Sequence, residues 1–502
     1  MMSVSLFVRS TSGLFAWVVV AGLLPAAEVT VSDAASLRAA IDGGSVGDTI
    51  RLAPGTYEVT QSLRPKSGMS IIGSGRGRTV IRNAASWTFD PANNGDDQTF
   101  PDHWNEDQYL FSMRDASTNV TISHLSMRGP DNAPAALPGA VFSRGNDGLK
   151  VHHTEIRNFQ WSGIRTFVVD NSRIHNNHFI DAGGKRFGTT GPEGGGIFAQ
   201  ATTGSHFHNN TFEKTDGAVN YYGIKGRLAR DTVISNNTIR TNFAIELPFE
   251  NDRNVVIRNN YLDGVVSVPK QGGGAIPDAG STFAIRENYF TRSYSIEGPR
   301  NEMVIADNLF DFDVDDDIGN LISNFATQSS PGGVEFTGNV VINPGRGIYW
   351  NQGSVDDLLF ANNEIYGDEP GTPPEGDRRT IGLFEFYNAD SSDDFVIRDN
   401  IIELTGLDRD LIRNGYPDVT IENNRLSGIS DLDQYDNLQT GAVQGRATPL
   451  DYYVGANDEF RVFGGGITAI PEPSGVSLLG LAAIAAARRR RRLRMVVPGS
   501  AA

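Results

Sequence analysis

Ile174-His175-Asn176-Asn177-His178-Phe179 is the stretch that decides the fold. Its phrase, apolar-x-x-Asn-x-apolar, returns around Asn210, Asn237, Asn260, Asn288, Asn308, Asn339, Asn363, Asn400 and Asn424, at intervals of 20 to 37 residues. Two weaker copies precede it: Ile122 to Met127 has Leu125 in the Asn slot, and Val151 to Ile156 has Thr154. A repeat of this length is one supersecondary unit stacked on itself. The unit is made of short strands and turns, so the stack is a parallel β-helix, all-β, with one long face built from the same strand of every coil. The asparagines read as structure. Asn tolerates left-handed turns, and stacked Asn side chains hydrogen-bond from coil to coil.

Working outward, a second strand is expected in each coil, from Ala140-Val141-Phe142 through Gly163-Ile164-Arg165, Gly196-Ile197-Phe198, Ala218-Val219-Asn220 and Ala244-Ile245-Glu246 to Gly382-Leu383-Phe384. Strand alternation sends Val141, Ile164, Ile197, Val219 and Ile245 inward, and the residue after each outward. The outward column is Phe142, Arg165, Phe198, Asn220, Glu246, Ser267, Glu297, Ser323, Tyr349 and Phe384. It reads as a track with aromatic ends and a polar, acidic middle. Such a surface suits a sugar polymer, whose rings have apolar faces and hydroxyl edges.

The ends differ from the middle. Arg9 and the apolar run Leu14 to Leu24 read as a secretory signal over 1–27. Pro471-Glu472-Pro473, the apolar stretch Val476 to Ala487 and the arginines 488–492 and 494 occupy 471–502. The body between them is expected as a β-helix over 28–430, opened by a short capping helix near 36–41 with Asp33 or Ser32 as N-cap, and a cap and linker over 431–470. Residues 84–117 are expected to interrupt the repeat with a polar, aromatic-bearing loop.

The chain has 502 residues, no cysteine and a formal charge of −17. The two ends carry +1 and +5, so the body carries −23. Disulfides and thiolate metal sites are excluded. Nucleic acid is repelled by such a surface, and a polyanionic glycan is too unless one strip is locally basic. The His175/His178 and His206/His208 pairs and the aspartates 311–317 read as solvated turns rather than metal sites.

The passage Gly47 to Tyr57, with Ile71-Ile72-Gly73-Ser74-Gly75, resembles the opening coils of pectate-lyase-like proteins. That resemblance implies a single-stranded right-handed parallel β-helix (solenoid). The Pro-Glu-Pro, apolar helix and arginine cluster resemble the PEP-CTERM sorting signal, which implies export, contact with the envelope sorting machinery and membrane contact through the terminal signals only. Asn220 and Glu246 on successive coils resemble the calcium-dependent lyases of alginate or chondroitin-type chains. The resemblance implies calcium held by Asn220 and Glu246 and a basic role at Lys270. By position, Glu250 joins the calcium set, Lys270 or Lys225 serves as the base and Tyr222 as the proton donor, and the substrate contacts come from Phe142, Arg165, Phe198, Glu297, Arg300, Tyr349 and Phe384. Where that family carries a second Glu, this chain has Pro248. The expected function is β-elimination on a uronate-containing polysaccharide by an exported monomer. A hydrolase using Glu246 and Glu297, and a non-catalytic glycan-binding or matrix protein, are the alternatives.

Overall fold

The computed structural model describes residues 26–429 except 88–107, 114–116, 130–138, 160–161, 184–193, 216–221, 248–251, 269–281, 293–295, 298–302, 313–319, 325–331, 345–346, 353–355, 368–381, 388–394, 405–409 and 414–418. Beyond 429 it describes 451–454 and 460–463. These last two strands pair antiparallel with each other. Among the described residues no helix is long and apolar enough to cross a membrane.

The fold is a right-handed parallel β-helix with three faces. The first face is a sheet of 15 parallel strands, from Glu28–Val31 to Val419–Glu422. The second runs from Gly55–Val59 to Arg425–Ser427. The third runs from Tyr109–Met113 to Asp410–Arg413. The last two faces join where Thr238–Glu246 and Tyr261–Ser267 each run through the corner between them. A coil therefore has three strands, not the two that the repeat suggested: the Asn phrase itself spans two faces. In Ile174 to Phe179, Arg173–His175 belongs to the first face and His178–Ala182 to the second, with Asn177 at the corner.

That corner is where sequence becomes structure. Each ladder Asn accepts on its Oδ1 the backbone N–H of the previous ladder Asn, and the previous Nδ2 as well. Asn260 donates both to Asn288 Oδ1 at 3.0 Å, and Asn288 donates to Asn308 Oδ1 at 2.9 and 3.0 Å. The same contacts run from Asn177 to Asn424, and Thr154 starts the row by donating to Asn177. The ladder side chains are buried, so each bond satisfies a group that has no water to turn to. The left-handed turn lies one residue earlier than expected. His124, His153, Asn176, Asn209, Asn236, Asn259, Glu287 and Asp307 have φ between 54° and 57°. Ladder position and left-handed position are thus separate demands.

Inside, apolar residues stack coil on coil. Phe179 lies on Phe212 at 4.6 Å, Phe290 on Phe310 at 4.7 Å and Phe336 on Phe360 at 5.0 Å. Each such side chain contributes roughly 1.5–3 kcal/mol by leaving water. The open start is covered by the helix Ala34–Gly43, whose Leu37 and Ile41 are fully buried. Asp33 is its N-cap: its carboxylate accepts from Ser36 N at 2.7 Å, and Ser36 closes a reciprocal box. In the region expected as a loop over 84–117, Tyr109–Met113 is instead the first strand of the third face.

Candidate functional site

The expected track exists on the third face, with three positions corrected. In backbone register its row is Ser112, Phe142, Arg165, Phe198, Lys225, Glu246, Ser267, Glu297, Ser323, Trp350 and Glu385. Lys225 takes the place assigned to Asn220, because the strand is Tyr222–Arg227 and not 218–222. Asn220 lies outside the described residues. Trp350 and Glu385 replace Tyr349 and Phe384: Tyr349 pairs with Ile322 of the inward row, a slip of one residue. Phe384 is wholly buried, edge-on to Phe360 at 4.9 Å and to Phe395 at 5.3 Å, and so belongs to the core. A one-residue slip exchanges the two sides of a strand.

The row is also less open than a track. Phe142, Arg165 and Phe198 are each 2% exposed and Lys225 5%. They point away from the core and are nevertheless covered. Phe142 packs on Tyr109, ring centroids 5.2 Å apart. The Tyr109 hydroxyl lies beside the Arg165 guanidinium; burial pushes this phenol's pKa up and the guanidinium pulls it back in part.

Phe198 is the centre of a group of cations. The Arg165 guanidinium lies 4.9 Å from its centroid, that of Arg227 5.5 Å and the Lys225 ammonium 5.9 Å. Lys225 also stands 4.7 Å from the Tyr222 centroid, and Tyr222 is stacked on Phe243 at 4.9 Å. A desolvated cation over a ring face is worth about 2 kcal/mol. The counter-charge comes from the next coil. Lys225 Nζ is 2.8 Å from Glu246 Oε2, in an ion pair whose side chains are 6% and 13% exposed. Register makes this pair: Lys225 and Glu246 are directly opposed. Arg144, half-buried, adds a cation 5.5 Å from the Phe167 centroid. The described strip thus holds Arg144, Arg165, Lys225 and Arg227 against Glu246. Of its cations Arg144 and Arg227 are half-buried, and Arg165 and Lys225 are buried.

Of the expected calcium set only Glu246 is described, and its carboxylate is taken by Lys225. A divalent cation at Glu246 would have to displace Lys225, and would then face Arg165 and Arg227. No three acidic or imidazole side chains converge among the described residues. Glu250, Lys270 and Arg300 lie outside them, and of Glu297 the structure describes only the backbone. The proposed hydrolase pair is two coils apart with Ser267 between. That spacing is about 9.6 Å at the usual strand pitch, the upper limit for inverting chemistry, and Glu246 is held by Lys225.

Elsewhere, Asp311 accepts from the Tyr289 hydroxyl at 2.8 Å. The His175/His178 pair separates, His178 lying 2.8 Å from Glu213 on the second face and His175 on the first, whereas His206 and His208 stay together on the first with ring centroids 4.3 Å apart. A sequence signal for Lys225 was present. Gly163-Ile164-Arg165, Gly196-Ile197-Phe198 and Gly223-Ile224-Lys225 share one pattern, since each glycine makes room at the corner. A Cβ on Gly196 would come within 2.6 Å of the Phe212 ring, and one on Gly223 within 2.5 Å of Ile239.

No family profile matches the chain, and no curated protein matches it. Solved structures do. The A-module of the Azotobacter vinelandii mannuronan C-5 epimerase AlgE4 aligns at TM-score 0.37 and 16% identity, covering 84% of this chain and 96% of its own. XylC in complex with xylose aligns at 0.45 and 11%, covering 79% and 86%. An exopolygalacturonase from Thermotoga maritima aligns at 0.41 and 13%, covering 80% and 93%. The likeness is one of architecture, and none of these identities places the chain in a family.

Proposed function

We propose that this protein is an exported, polysaccharide-active β-helix that cleaves a uronate-containing polymer by β-elimination. The observation that carries the reading is the gathering of Arg165, Lys225 and Arg227 around Phe198 in a body of charge −23. Elimination requires the uronate carboxylate to be neutralised, so that the neighbouring C–H can lose its proton. Half-buried Arg227 can meet that carboxylate with a planar fork of donors. A base then takes the proton, the bond to the glycosidic oxygen breaks, a carbon–carbon double bond forms, and an acid protonates the departing oxygen.

We read the roles from the ion pair. Lys225, paired with Glu246 at 2.8 Å, is the acid and Tyr222 the base. This reverses the roles that the resemblance implied. Export rests on the terminal signals, and the polymer is met outside the cell.

The test is incubation of the full chain with alginate, pectate and chondroitin, following ultraviolet absorbance of the unsaturated ends, with and without a chelator. The expected result is turnover of one polymer, unaffected by chelation and reduced at least roughly tenfold in Arg227→Ala. Absence of unsaturated ends from all three would reject the reading.

A further inference from the structure

The first face carries a second cluster. Six of the chain's 8 histidines, His124, His152, His153, His175, His206 and His208, lie on it or at its corner turn. Their rings are layered: His153 lies flat on His124 at 4.9 Å, His175 on His152 at 4.9 Å and His208 on His175 at 4.7 Å. Between the layers, His152 Nδ1 and His153 Nδ1 face each other at 2.9 Å, one donating a hydrogen bond to the other. We propose that His152 and His153 form a clamp for a nitrogen-seeking divalent transition-metal ion.

The fold does not ask for imidazole at either position. The residue in register with His152 is Ser123 on one side; on the other, His175 and His208 are followed three coils away by Ser235. The left-handed position of His153 is filled by Asn176, Asn209, Asn236 and Asn259 in later coils. Only one coil sets two histidines side by side at these positions. Metal–imidazole bonds are about 2.0–2.1 Å, which puts two ligating nitrogens about 3–4 Å apart. The pair at 2.9 Å therefore opens by roughly 1 Å or less as the ion replaces the hydrogen between them. His153 is exposed and His152 half-buried, so the ion arrives from solvent. The parallel faces of His124 and His175 hold the two ring planes, as outer groups do around metal ligands. No third nitrogen converges on the pair among the described residues, so water completes the coordination. Copper(II) heads the affinity order for nitrogen sites and is the probe of choice.

The experiment titrates copper(II) into the full chain by calorimetry and records its electron paramagnetic resonance spectrum. One equivalent binds, with hyperfine splitting from two imidazole nitrogens. His153→Asn and His152→Ser, the residues neighbouring coils already use, each weaken it at least roughly tenfold. His124→Asn, which leaves the clamp in place, retains the nitrogen splitting. Equal affinity in His153→Asn and the parent chain, or a spectrum without nitrogen coupling, overturns the proposal. Circular dichroism confirms that the variants are folded, and either of the two clamp variants alone is decisive.

Discussion

Removing one rung of the asparagine ladder should open the solenoid at that rung, and Asn288→Ala is the informative case. The substitution leaves the backbone N–H of residue 288 on Asn308 Oδ1. It strips the acceptor from two donors of Asn260, its N–H and its Nδ2, both at 3.0 Å. It also takes a donor from the Ile257 carbonyl, reached by Asn288 Nδ2 at 3.0 Å. Asn260 Nδ2 keeps Ile234 and Arg258, so the main losses are one buried N–H and one buried C=O. At about 1–3 kcal/mol for each orphaned group, the cost is ~2–6 kcal/mol. In a solenoid each coil touches only its neighbours, so the penalty is local. Amide hydrogen exchange by mass spectrometry reads it directly. The Asn260 amide should exchange about a hundredfold faster, because ~3 kcal/mol is two factors of ten, while Asn177 and Asn400 stay as slow as before. Asn288→Thr, using the residue that starts the ladder at position 154, should recover part of the protection. An Asn260 amide unchanged in Asn288→Ala would refute the assignment of the ladder as the coil-to-coil bond.

Other outcomes follow from the same geometry. Lys225→Ala leaves Glu246 buried and uncompensated and should cost about 3–5 kcal/mol. The double change Lys225→Met with Glu246→Leu should restore most of that stability while abolishing turnover, as urea titration and the ultraviolet assay would show. Gly196→Ala would press a methyl against the Phe212 ring and should cost about 1–3 kcal/mol. Adding Phe212→Leu should relieve it, checked by thermal unfolding. The histidine layer should make the fold acid-sensitive. Burial first, then the neighbouring imidazoles and cations, hold the pKa values of His152, His175 and His208 at about 4 against an ordinary 6.5. Their neutral forms are therefore favoured in the folded state. This contribution is whole above pH 6.5 and is lost as pH falls towards 4. A displacement of that size is worth ~3 kcal/mol per group at most, and screening at a partly open face cuts it to ~1 kcal/mol each. Urea midpoints measured from pH 7.5 to 4.5 should fall in the parent chain and flatten when all three are replaced by serine.

How much of this was legible in the residues depends on the demand each position meets. The Asn ladder was legible because burial leaves asparagine few substitutes at the corner. That each coil has three faces was not, since Ile174 to Phe179 reads as one strand until Asn177 is seen to turn it. Ala218-Val219-Asn220 and Gly223-Ile224-Lys225 both alternate like a strand. Only the demand for a glycine against Ile239 at position 223 separates them, and that demand comes from the neighbouring face. Tyr349 and Trp350 are adjacent aromatics, so alternation alone could not set the register there. Lys225 reads as a surface lysine in sequence, because nothing in its own strand announces that Glu246 of the next coil will sit opposite it.

The asparagine row has a direction. In the contacts between rungs, hydrogens are given toward the later coil and received from the earlier one, from Thr154 to Asn424, while each Asn Nδ2 also reaches back to a carbonyl of the earlier coil. A chain emerging amino end first therefore always carries a rim of waiting donors, which the following turn answers with an amide oxygen. At the rung itself, shortening the protein from opposite ends leaves opposite groups open: loss of late coils leaves the N–H donors that met the next Oδ1, and loss of early ones leaves an Oδ1. Capping pieces for the two cuts would have to differ accordingly, an acceptor-bearing lid for one and a donor-bearing lid for the other.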